Sequence, residues 1–145
     1  MIGTSKPKLL RASLIVQSIW AACLMVGGVN HALTLLRHGL FWDYGYGGAA
    51  WASTVYWSSL TLLDPLVAAL LFIRPRIGIP STIVLIVTNV IHNLWITAQH
   101  APGGEFLARA ANPFLASQIG FMLFVLATAR IAWRGRKSGG RARLD

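Results

Sequence analysis

Four long apolar runs, separated by short polar clusters, set the plan of this chain. They cover residues 9–32, 53–73, 77–98 and 110–132. A helix needs ~20 mostly apolar residues to cross ~30 Å of hydrocarbon, and each run reaches that length. The pattern predicts an all-α fold, an antiparallel four-helix bundle integral to a membrane. One transmembrane domain is expected over 1–134, followed by a disordered basic tail, GRKSGGRARLD, at 135–145. No internal repeat is visible.

The breaks between runs carry turn chemistry. In RPRIGIP (74–80) the expectation is that Pro75 stops the second helix and Pro80 lies in the first turn of the third. HAPGGEFLAR (100–109) is a glycine-proline loop between the third and fourth. Asp64-Pro65 interrupts the second run, and either Thr61 or Leu60 and its neighbours are expected to satisfy the backbone group that the proline frees. Gly27-Gly28 reads as a close-packing point between helices.

Composition agrees with the pattern. Of 145 residues 55% are hydrophobic and 12% charged, with a mean hydropathy of +0.59. Soluble domains carry about 25% charged residues. The net charge of +9 does not indicate nucleic acid, because the basic residues flank the apolar runs and no recognition module accompanies them. With the N-terminus inside, all 13 basic residues except Arg37 and Arg109 fall on the cytoplasmic side. That bias places both termini in the cytoplasm. A bacterial inner membrane is the expected location, with anionic headgroups beside the basic residues and Arg130 snorkelling to them.

Cys23 is the only cysteine, which excludes an internal disulfide and the paired-thiol chemistry of disulfide relays. The basic N-terminus before an apolar run also suits a signal peptide, and Trp20-Ala21-Ala22-Cys23 hints at a lipoprotein cleavage site. Trp20 stands where a small aliphatic residue is expected and the run continues as LMVGGV, so a retained helix is the reading.

Candidate chemistry lies in the polar residues within the runs. Asp64 is the one carboxylate inside any span, close to the midplane by its distance from Ile73. It reads either as a packing aspartate or as a ligand-orienting or proton-transferring group. On the third span Asn89, His92 and Asn93 share a stripe at i, i+3 and i+4, continued by Gln99 and His100. Gln118 lies at the depth of Asn89, Gln17 nearer the cytoplasm, and His31 at the outer end of the first span. Together they suggest an outward-opening polar pocket with Asp64 at its floor. The bland reading is interhelical hydrogen bonding, worth ~0.6 kcal/mol per contact on average.

Two metal readings are open to these residues. His31 and His92 at one depth are the single pair available for axial haem ligation. His31, His92, His100 and Asp43 are the set from which a zinc site would draw, without a ligand-spacing motif. The expectation is no metal and no cofactor, with haem through His31 and His92 as the alternative.

The stretch NHALTLLRHGLFWDYGYGG (30–48) crowds aromatics between the first and second spans. From Thr34 to Trp51 it reads as a surface or re-entrant segment in an interfacial aromatic belt. The sharper reading is a lid, with Trp42 and Tyr44 over the pocket and Asp43 pairing with Arg37 or His38.

Four spans, both termini inside, a long first outer connection and Asp64 in SLTLLDPLVAALLF resemble the emopamil-binding-protein and sigma-two-receptor (EXPERA) superfamily. That resemblance implies a membrane cavity that binds or isomerises sterols, with Asp64 at the family's second-span carboxylate and Asn89 to His92 in its polar third span. The chain departs from the pattern in having His31 where an acid is expected and no further acid in the third span. It also looks like small uncharacterised bacterial four-span proteins.

The reading is therefore a multi-pass protein that binds a lipid-like or amphiphilic small molecule. Asp64, Asn89, His92, Asn93, Gln118, His31, Trp42 and Tyr44 are its expected ligand-binding residues. A membrane enzyme with isomerase-like proton transfer through Asp64 or His92 is the alternative, and so is an accessory or assembly subunit of a membrane complex. Expected partners are membrane lipids, an amphiphilic ligand, and a second copy or another membrane protein.

Overall fold

A computed structural model describes residues 5–139 of the chain, with side chains for 7–134. Five helices follow one another: α1 (Ser5–His38), α2 (Trp51–Ile73), α3 (Pro75–His100), the short α4 (Phe106–Ala110) and α5 (Pro113–Gly139). α1, α2, α3 and α5 are each long and apolar enough to cross a membrane. The chain is an integral, multi-pass membrane protein built as a helical bundle. α1 packs on α2 and α5, and α3 packs on the same two helices, so the four close into a ring.

α1 outruns its apolar stretch. The sequence suggested a span ending at residue 32 and a surface segment from Thr34, but the helix continues to His38. Nothing between Asn30 and His38 breaks a helix. Gly39 does: its φ of +85° is left-handed, and its N–H closes on the Leu35 carbonyl at 2.9 Å.

Arg74 alone separates α2 from α3, and Pro75 opens α3 instead of closing α2. Proline suits that first helical position because its missing N–H has no partner there anyway. Pro80 consequently lies inside α3, beyond the first turn. The corner is very tight: a Cβ on Gly78 would run into the backbone of Leu70 and Leu71. At Pro65, the Thr61 hydroxyl does not supply the compensation expected of it, since its oxygen is buried with no hydrogen-bond partner.

α5 begins three residues later than the sequence suggested. Asn112 caps it, accepting the Leu115 N–H on its side-chain oxygen at 3.0 Å, and Pro113 follows at the first position. α5 extends through Gly139; the rest of the expected basic tail, 140–145, lies outside the described residues.

Polar side chains stitch α1 to α5 at the end of the bundle that holds Arg74. Ser13 donates to the Ala132 carbonyl at 2.8 Å, Gln17 donates to Ser13 at 2.8 Å, and the Trp20 indole donates to Thr128 at 3.1 Å. Trp20 is fully buried in the main core, which also holds Leu24, Leu71, Ile79, Val90 and Val125. Gln17 is thus a packing residue.

Candidate functional site

At the opposite end, the close of α1, the start of α2, the close of α3 and the start of α5 surround a cavity of about 370 Å³. α1 lines it with Asn30, Thr34 and His38 at four-residue intervals, with His31 beside them. α2 contributes Trp57, α3 contributes Asn93 and Thr97, and Asn112, Phe114, Leu115 and Gln118 come from α5 and its cap. The α1–α2 connection supplies Trp42, Tyr44 and Tyr46. His31, Trp57, Thr97 and Leu115 are buried, whereas Asn30, His38, Asn112 and Phe114 are exposed. The opening therefore lies on the α1–α5 side.

The aromatic rings form one connected wall. Trp42 and Tyr44 have centroids 5.0 Å apart, Tyr44 and Trp57 4.8 Å, and Tyr46 stacks on Trp57 at 5.8 Å. His38 stacks flat on Trp42 at 3.9 Å. Tyr46 also approaches His100 at 5.3 Å. His100 leans back on its own helix, with Nδ1 3.1 Å from the Ile96 carbonyl.

The connection that carries these rings is held by its one acid. Asp43 accepts the Gly48 N–H at 2.9 Å and the Gly45 N–H at 3.0 Å. Those bonds, Gly48's foremost, hold its carboxyl below the ordinary carboxylate value. Asp43 is therefore a loop organiser, in place of the expected pairing with Arg37 or His38. Tyr44 has a φ of +58°, a left-handed conformation that costs a bulky residue on the order of 1 kcal/mol. Its side chain is over-determined: the hydroxyl lies 2.7 Å from His31 Nδ1, and the ring packs against Trp42 and Trp57. Burial pushes the phenol above its ordinary pKa, so it stays neutral.

A hydrogen-bonded chain crosses the inner side of the cavity. The Trp57 indole donates to Asn93 Oδ1 at 2.9 Å. Asn93 Nδ2 donates to Gln118 Oε1 at 2.8 Å and to Asn89 Oδ1 at 3.2 Å. One chain thus ties α2 to α3 and α3 to α5.

Of the sequence candidates, His31, Asn93, Gln118, Trp42 and Tyr44 line the cavity and the other three do not. Asn89 is buried one turn below Asn93 and supports it from beneath. His92 faces α2, among the rings of Tyr56 (4.8 Å), Trp57 (5.4 Å) and Trp95 (6.1 Å), and its Nε2 is buried without a partner. It backs the Trp57 wall from behind. Asp64 sits on α2 two turns below Trp57, about 10 Å deeper, and is 7% exposed. Its carboxyl presses on α1: a Cβ on Gly27 would lie 2.8 Å from Oδ2, and one on Gly28 3.0 Å from Pro65 Cδ. The floor of the cavity is therefore the Trp57–Asn93–Gln118 chain, and Asp64 lies beneath it against Gly27-Gly28.

His31 lines the cavity and His92 does not, so the pair considered for haem does not face a shared space. Among the described residues, no three of His, Cys, Asp and Glu come together as a metal site. Trp57, Tyr46, Asn30, Thr34, Thr97, His38 and Asn112 also line the cavity and are not among the ligand-binding residues expected from sequence. For Asn30, Thr34, His38 and Thr97 the signal was the i, i+4 stripes Asn30-Thr34-His38 and Asn93-Thr97 at the helix ends. Searches against family models, curated proteins and solved structures give no match to the chain.

Proposed function

We propose that this protein binds an amphiphilic small molecule, its polar head in the cavity at the loop end of the bundle and its apolar part along the α1–α5 side. The observation that carries this reading is the lining itself. Connected aromatic rings meet amide, hydroxyl and imidazole groups in one recess, and no lysine, arginine or carboxylate is among the lining residues. Apolar pockets with a few convergent polar groups are the usual form of small-molecule sites. This keeps the membrane cavity that the EXPERA resemblance implies and moves its chemistry from Asp64 to the residues above it.

In this reading the bundle is antiparallel with both termini cytoplasmic, so the cavity faces the outer side of a bacterial inner membrane. The asymmetric basic residues support that orientation. The enzyme alternative is the weaker, because both proton-transfer candidates, Asp64 and His92, stand outside the lining.

A photo-crosslinking amino acid tests the proposal in intact membranes. At Phe114, on the mouth of the cavity, it should capture one discrete lipid-sized adduct. At Leu123, which is exposed elsewhere on α5, only a heterogeneous lipid background is expected. Identical adducts at both positions would contradict the reading.

A further inference from the structure

The hydrogen bonds around the cavity fix which end of each polar group is left for a ligand. An indole N–H can only donate, so Asn93 must present its oxygen to Trp57, 2.9 Å away. The Asn93 NH2 is then turned to Gln118, whose oxygen accepts at 2.8 Å. That commits the Gln118 oxygen and leaves its NH2 with no protein partner among the described residues. On α1, His31 Nδ1 is engaged by the Tyr44 hydroxyl at 2.7 Å. His31 Nε2 is the ring nitrogen that this pairing leaves open, and it carries the ring proton in the tautomer in which the phenol donates to Nδ1. The Gln118 NH2 left over is a donor, and His31 Nε2 is a second one in that tautomer.

Donors discourage a cationic head and call for oxygen acceptors. The nearest carboxylate in sequence, Asp43, is occupied by Gly45 and Gly48. An anionic head would want a lysine or arginine, and the lining has none. What fits is an uncharged ring with acceptor oxygens that stacks between aromatic faces. A volume of about 370 Å³ is at the small end of ligand pockets and accommodates a single-ring head.

Resting on the binding reading above, we propose that the ligand is a membrane quinone: a planar ring with opposed carbonyl oxygens on an apolar tail. Gln118 NH2 and His31 Nε2–H donate to its carbonyls. Trp42, Tyr44 and Trp57 face its ring, and the tail leaves past Asn30 and Phe114 between α1 and α5.

Isothermal titration calorimetry of the detergent-solubilised full chain tests this with two probes of equal tail length, decyl-benzoquinone and decyltrimethylammonium. The quinone should bind saturably at one site, and the ammonium compound should not. Gln118→Glu keeps the oxygen that Asn93 uses and replaces only the free donor, so it should weaken the quinone by about tenfold or more. His31→Phe, which removes the other donor, serves the same purpose if the first variant does not fold. Undiminished quinone affinity in the folded variants overturns the proposal. Saturable binding of the ammonium probe in place of the quinone overturns the quinone assignment while the cavity reading stands. A co-purified mass that is not a quinone, on a wild-type protein that binds no added quinone, has the same meaning.

Discussion

The Trp57 indole donates to Asn93 across the α2–α3 interface at 2.9 Å, and that single bond sets the direction of every amide beyond it. Trp57→Phe keeps most of the ring and removes the donor. It should cost about 1 kcal/mol in a thermal melt, and free the Asn93 and Gln118 amides to turn over. The expected sign of that freedom is a loss of ligand selectivity larger than the loss of stability. Unchanged selectivity would mean that the indole does not orient the amides.

Gly27 and Asp64 are in contact across α1 and α2, the carboxyl lying where a methyl group on residue 27 would go. Gly27→Ala should destabilise the bundle by overpacking, roughly 1–3 kcal/mol. In an Asp64→Ala background much of that penalty should vanish, because the obstacle is the carboxyl itself. A double-mutant cycle in detergent measures the coupling, and simple additivity of the two changes would refute the contact.

Gly78 tests the α2–α3 corner more severely. The atoms that an added methyl group meets there are backbone, at Leu70 and Leu71, and backbone cannot swing away as a side chain can. Gly78→Ala should therefore lower stability by at least about 1–3 kcal/mol, visible as an earlier melt. Gly120→Ala, with nothing within 4 Å of the new atom, is the matched control and should be neutral or slightly stabilising.

How much of this was legible in the sequence depends on the kind of information. Hydropathy located four apolar helices, because run length is a one-dimensional property. It missed that α1 reaches His38, since residues 30–38 mix polar with apolar side chains without ceasing to be helical. For the cavity, depth was readable and azimuth was not. Asn93 and Gln118 lie at the right height and on the right face. His92 is one residue before Asn93, about 100° around the helix, and so turns to Tyr56 and Trp95. Asp64 shares the face of Trp57 but lies two turns deeper. The loop rings were read as a belt or a lid; Tyr44 joins His31 only through a left-handed backbone that no pattern of residues announces.

The loop carries a pH signature through Asp43. Its folded carboxyl is held below the ordinary value of 3.8 by backbone N–H groups, so the loop gains stability from the ionised form. That contribution is complete above the unfolded value and fades as pH falls through the lower folded one. Protection factors of the Gly45 and Gly48 amides, exchange rates taken relative to the intrinsic rate at each pH, should be high at neutral pH and fall as the pH drops below 3.8. Asp43→Ala should show low protection factors at every pH.

The central claim is that the cavity between α1 and α5 is a ligand site, and native mass spectrometry of the gently extracted protein meets it most directly. Asn30 lines the mouth and is exposed, so Asn30→Trp can fill the entrance without disturbing the core. The wild type should carry one tightly held apolar molecule and the variant should have lost it, with both equally folded. The same bound mass on both proteins, or none on either, would contradict the account.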